Sequence, residues 1–204
     1  MIGRELKIIG FVGMPGSGKS VASDVARSMG LNVVVMGDVI RKEAARLGLE
    51  PSDKNLGMIG SMLREKEGAD AIARRTLEIA LAGTGKEKEK EKEKEKDSLV
   101  VVDGIRSAEE VEFFRRSSGE FHLIEIRADP RSRLDWISNR GRPDDLHDRR
   151  PDALKERESR EVGWGMKRAF DEADIRIEND GGLCEFKRSV KDLIEKLSGP
   201  ASSD

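Results

Sequence analysis

Ile8-Ile9-Gly10-Phe11-Val12-Gly13-Met14-Pro15-Gly16-Ser17-Gly18-Lys19-Ser20 carries an apolar, β-branched run straight into the pattern G-x-x-x-x-G-K-[ST]. The run reads as a buried strand, and Gly13, Gly16 and Gly18 permit backbone angles that other residues avoid. Successive N–H groups then turn inward and surround phosphate oxygens. Lys19 adds a point charge for the β- and γ-phosphates. Ser20 opens a helix, so its hydroxyl suits a magnesium ion while the helix N-terminus faces the anion. The stretch predicts a strand, a phosphate cradle of Gly13, Met14, Pro15, Gly16, Ser17, Gly18, Lys19 and Ser20, and a helix through Val21, Val25 and Met29 to Gly30.

Downstream, short β-branched runs alternate with helix-period segments, the pattern of a parallel sheet between layers of helices. Five strands are expected: Leu6 to Val12, Asn32 to Met36, Leu99 to Asp103, His122 to Arg127 and Asp174 to Glu178. The third ends in Asp103, a carboxylate suited to hold a water of the Mg²⁺ shell. An apolar run followed by Asp is also what a strand meeting a turn looks like. Ser107 and Glu110 have capping-box spacing, Asp129-Pro130 reads as an N-cap followed by a first-turn proline, and Gly141 as that helix's stop. The last helix presents Leu183, Phe186, Val190, Ile194 and Leu197 on one face.

Two intervals exceed what a crossover needs. Asp38 to Ala82 spells three helical stretches broken at Gly48 to Ser52 and at Gly68, read as an inserted helical lobe. Arg131 to Arg160 concentrates Arg133, Arg140, Arg142, Arg149, Arg150, Arg157 and Arg160. Between strands two and three, residues 83–97 form a charged low-complexity loop whose Lys86 to Lys96 alternation of Lys and Glu has nothing to bury. At 204 residues one cored domain is expected over 1–204. Charged residues make up 38% of the chain but net to −2, so nucleic acid is not the default partner. A single cysteine, Cys184, the absence of a membrane-length apolar run and no apolar leader in Met1 to Lys7 point to a reducing cytoplasm. His122 and His147 have no ligand spacing with Cys184. Trp136, Trp164 and Phe170 are expected to pack or hinge rather than stack on a base.

The cradle, Met36-Gly37-Asp38-Val39-Ile40-Arg41, Val102-Asp103-Gly104-Ile105-Arg106 and the arginine-rich stretch together resemble the P-loop nucleoside monophosphate kinase superfamily. Within it, the archaeal predicted nucleotide kinases related to dephospho-CoA kinase and adenylate kinase are the nearest resemblance. It implies an α/β, three-layer P-loop NTPase fold with a five-stranded parallel sheet, a helical acceptor-binding lobe over 38–82 and an arginine-rich lid over 131–160. By that resemblance Asp38, Arg41 and Arg106 meet the acceptor, Asp38 is the candidate base, Ser20 and Asp103 serve Mg²⁺, and Lys19, Arg140 and Arg142 stabilise the transferring phosphoryl group. Asp103-Gly104-Ile105-Arg106 is one residue shorter than the adenylate kinase Asp-Gly-x-Pro-Arg motif and lacks its proline. Asp38 as a helix cap and Arg106 as a turn arginine are the alternatives. Arg133 and Arg140, seven apart, lie on nearly one side of their helix. Asn179-Asp180-Gly181-Gly182 falls where the family contacts adenine, or is a plain turn.

The expected activity is transfer of the γ-phosphoryl group from Mg-ATP to a small nucleotide-like acceptor, either a nucleoside monophosphate or a dephospho-CoA-like hydroxyl. The alternative is a P-loop ATPase or switch that acts on a protein or RNA partner.

Overall fold

The computed structural model describes residues 6–84, 99–140 and 151–199. The Lys-Glu alternation at 86–96, Gly141, Arg142 and His147 lie outside them. Five strands, β1 (Lys7–Val12), β2 (Asn32–Val35), β3 (Leu99–Ile105), β4 (Glu120–Arg127) and β5 (Ile175–Glu178), form one sheet. Its order is β2-β3-β1-β4-β5 and every pairing is parallel. All five segments read as strands from their apolar runs are strands here. β1 is central, with Ile9 opposite Val101 on one side and His122 on the other.

Alternation along β1 sorts the core onto both faces of the sheet. Ile8 and Val12 join Val100, Val102 and Leu123 beneath α2 (Met36–Arg46), α3 (Asp53–Glu67), α4 (Ala71–Thr84), α5 (Ala108–Ser117) and α8 (Met166–Asp171). Ile9 and Phe11 join Val101, Ile124 and Ile126 beneath α1 (Lys19–Ser28) and α9 (Leu183–Ser198). Gly10 lies on the first face because a Cβ there would come within 2.5 Å of Ile105 Cδ1 and 3.1 Å of Phe121. Burying such strands on both faces stabilises by about 25 cal/mol for each Å² of apolar area removed from water. Phe186, Val190 and Ile194 of α9 are buried, whereas Leu183, its first residue, is exposed.

The caps follow from side-chain oxygens near unpaired N–H groups. Ser107 Oγ accepts from Glu110 N at 3.3 Å, and Glu110 reaches back to Arg106 N (2.8 Å), one residue before the partner of an ordinary capping box. Asp129 Oδ1 accepts from Arg131 N (2.8 Å) at the start of α6 (Pro130–Arg140). The interval read as a helical lobe holds α2, α3 and α4, broken where Gly48 (φ 68°) and Gly68 (φ 104°) take the left-handed region. Met36 begins α2 rather than ending β2. Past 141–150 the chain continues in α7 (Pro151–Gly163). Among the described residues no helix is long and apolar enough to cross a membrane.

Candidate active site

The turn between β1 and α1 is built from tight backbone approaches. A Cβ on Gly13 would collide with Ile126 O, and one on Gly16 would lie 2.8 Å from Arg133 O. Gly18 holds φ 109° as the N-cap of α1, where a Cβ would stand 2.5 Å from Asn179 Nδ2. Asn179 is buried and donates to Ser17 O at 3.0 Å, tying the end of β5 to the loop. Arg133 is buried as well; its Nη1 donates to Pro15 O at 3.1 Å and pairs with Glu158. Arg133 thus braces the loop backbone, because α6 packs directly on Gly16.

Lys19 folds back on the loop, donating to Gly13 O (2.5 Å) and Met14 O (3.0 Å). Burial pulls its ammonium down from 10.5 to about 8, against the opposing pull of Asp103 and Glu161. Ser17 Oγ is buried with no hydrogen-bond partner among the described residues. Asp103, near the end of β3, is buried and accepts from Ser23 Oγ at 2.9 Å.

These groups open on a cavity of about 400 Å³ lined by Pro15, Gly16, Ser17, Gly18, Lys19 and Ser20 together with Gly37, Arg41, Asp103 and Arg106. Arg157 and Glu161 of α7 line it too, with Trp136, Ile137, Asn179, Gly181 and Leu183. The structure thus brings most of the cradle, Arg41, Arg106, Ser20 and Asp103 around one space. Met14 lines a neighbouring cavity behind the loop. Asp38 is not in the lining of the central cavity: its side chain is 56% exposed, pairs with Arg41 at 2.7 Å and faces a groove with Val33, Val39 and Thr76. Arg41 lines both spaces. Arg140 is the last residue of α6; its side chain, like Arg142, lies outside the described residues.

Glu161 was not singled out from sequence, Arg157 entered only as one of the arginine-rich stretch, and Trp136 was read as a packing or hinge residue. Glu161, with its side chain 3% exposed, takes Arg106 Nη2 and Arg157 Nε on its Oε1, each at 3.4 Å. Its carboxyl is held below the usual range even though burial opposes this, because Arg106, Arg157 and Lys19 favour the charged form. Burial depresses the Arg106 guanidinium, and Glu161 partly restores it. Arg157 and Glu161 are four apart on α7, a visible signal but the same one that solvated helix faces carry. Trp136 stands on the cavity wall, 38% exposed. Trp164 instead packs under Arg64, Arg106 and Arg160, at 4.5, 5.6 and 5.9 Å from its ring centroid.

A family model described as an AAA domain matches residues 9–162. A UPF0200 protein of Methanothrix thermoacetophila is 53% identical over 193 residues, covering 94% of this chain and 98% of its own. A UPF0200 protein of Hyperthermus butylicus is 38% identical over 199 residues, covering 98% and 99%. Among solved structures, a gluconokinase from Sinorhizobium meliloti is similar with a TM-score of 0.53 at 14% identity, covering 96% of this chain and 95% of its own. A shikimate kinase from Bacteroides thetaiotaomicron gives 0.51 at 14%, covering 95% and 99%. At such identities the likeness is one of fold. The chain belongs to the UPF0200 protein family, whose archaeal members it matches along nearly its whole length, and it has the P-loop, nucleoside monophosphate kinase-like fold.

Proposed function

We propose that this protein is a small-molecule kinase that transfers the γ-phosphoryl group of Mg-ATP to a nucleotide-like acceptor. The observation that carries the reading is the shared cavity: the phosphate cradle, Arg41 and Arg106 line one and the same space. Its volume of about 400 Å³ falls in the range of about 300–1,000 Å³ usual for small-molecule sites. The glycines of the loop leave room only for close backbone approach, and the buried Ser17 hydroxyl lacks a partner among the described residues, which suits a polyphosphate. Ser20 and Asp103 are the residues that would hold Mg²⁺, which supplies charge neutralisation on the β- and γ-oxygens.

In this reading Lys19 leaves its carbonyl partners for the phosphates. The acceptor oxygen bonds to the γ-phosphorus as the bond to the β,γ-bridging oxygen breaks, and ADP leaves; a hydroxyl acceptor also gives up its proton. Arg106, with Arg41, orients the acceptor, and Arg140 and Arg142 are proposed to complete the site from a lid over 131–160. The helices within 38–82 form the proposed acceptor lobe. Asp38 holds Arg41 in place and is the proposed base for a hydroxyl acceptor.

The test is a panel of nucleoside monophosphates and dephospho-CoA incubated with γ-labelled Mg-ATP. Transfer of label to one of them is the expected result. Hydrolysis that rises only when a protein or RNA partner is added, with no labelled acceptor, would replace the kinase by a switch or ATPase.

A further inference from the structure

Two guanidiniums converge on a single carboxylate oxygen in the wall of the cavity, close enough to the cradle for Lys19 to feel all three charges. Arg106 reaches it from the end of β3 and Arg157 from α7, both at 3.4 Å from Glu161 Oε1. Side-chain exposures of 22% for Arg106 and 11% for Arg157 leave little water to screen them. Other carboxylates lie nearby, each with partners of its own. Glu110 binds Arg64 Nη2 at 2.7 Å and Arg106 N, and Asp53 binds Arg160 Nη2 at 2.5 Å while lying 3.6 Å from Arg157. Asp103 is engaged by Ser23. Glu161 is the acid that both arginines meet, and Arg157 shares itself between Glu161 and Asp53.

The carboxylate oxygen they share stands where one oxygen of a phosphate or of a free acid could be taken by both arginines. Resting on the kinase reading above, we infer that Glu161 is a counter-ion that an oxyanion of the acceptor competes with for Arg106 and Arg157, and so sets the acceptor's charge. The acceptor then carries a phosphate monoester or carboxylate that meets these arginines. A neutral polyol offers these arginines nothing to exchange for Glu161. The role is one of positioning and specificity: the carboxylate keeps two like charges together in the cavity wall and yields them to a better anion.

The sign of the test separates this from a scaffold role. Removing a purely structural carboxylate loosens the arginines and weakens anion binding; removing a competitor strengthens it. Inorganic phosphate and, separately, acetate are titrated calorimetrically at fixed ionic strength into wild type, Glu161→Gln and Glu161→Gln/Arg106→Ala, with Mg-ADP added to saturation and again without it. Glu161→Gln is expected to bind one of the two anions about ten- to a hundredfold more tightly than wild type, and the double variant to lose the gain. A gain for phosphate identifies a phosphorylated acceptor, and a gain for acetate a carboxylate one. Equal or weaker binding of both by Glu161→Gln, or a gain that survives Arg106→Ala, overturns the inference. Should Glu161→Gln not fold, Glu161→Asp, with its charge drawn back by one methylene, takes its place and must still bind more tightly than wild type. Mg-ADP binding is recorded in the same runs. Its failure counts against the kinase reading, whereas the wild-type-to-variant difference in anion affinity judges Glu161 alone.

Discussion

Lys19 shows how one residue ties the cradle to pH. Its amine titrates near 8 instead of 10.5 because burial disfavours the charge. Polyphosphate binding favours the charged form, so Mg-ATP affinity should fall once the pH rises through 8, by up to about tenfold per unit. Calorimetry between neutral and alkaline pH checks this, and Lys19→Ala should flatten the profile. The effect of the same group on the unliganded fold has the opposite direction. Between 8 and 10.5 the unfolded chain holds a proton that the folded one releases, so this group's contribution to stability rises with pH across that window. Asp38 poses a second question at this scale. Because it pairs with Arg41, Asp38→Asn should raise the KM of a phosphate acceptor several-fold with kcat little changed. A loss of about 10² to 10⁴ in kcat would instead identify it as the base.

Among the elements, the loop between β1 and α1 depends on neighbours that arrive from far along the chain. Asn179 at the end of β5 donates to Ser17 O, so Asn179→Ala leaves a buried carbonyl unpaired. The expected cost is about 1–3 kcal/mol in urea unfolding, together with weaker Mg-ATP binding. This dependence marks the limit of what could be read from residues alone. Strand β1, the cradle and the start of α1 were legible because local chemistry dictates them: an apolar run, three glycines in register, then Lys19 and Ser20. The cap at Ser107 and the break at Gly68 were legible for the same reason. Asn179 was not, since an Asn-Asp-Gly-Gly turn looks alike whether or not its amide docks on another loop. Arg133 and Glu161 were hidden in the same way. Each lies in a charge-rich helix whose sequence does not say which face meets the protein, and α6 and α7 acquire that information only by packing beside β1 and α3. Asp38 was assigned by resemblance to the acceptor entrance, where its position in the first turn of α2 also stabilises that helix against its dipole.

Across the whole molecule, the helices between β2 and β3 and the returning helix α7 are joined rather than merely adjacent. Asp53, at the start of α3, accepts from Arg160 Nη2 at 2.5 Å and lies 3.6 Å from Arg157 Nε. A Cβ on Gly57 would sit 2.6 Å from Arg160 Nε, so α3 and the Arg160 side chain pack in contact. Asp53→Ala leaves both arginines short of a counter-charge and should lower stability by about 1–3 kcal/mol, read from the urea midpoint. The acceptor should then also bind more weakly, since Arg157 is one of the two guanidiniums around Glu161.

The indole of Trp164 lies at this junction, its Nε1 donating to Ser61 Oγ of α3 at 3.2 Å while three guanidiniums surround the ring. That makes it a built-in optical gauge. With Trp136 replaced by Phe, the chain would hold a single emitter whose colour and brightness follow the spacing of α3 and α7. Loosening the junction through Asp53→Ala should shift emission to the red as water reaches the indole, and titrating an acceptor would reveal in real time whether the two helices draw together or part.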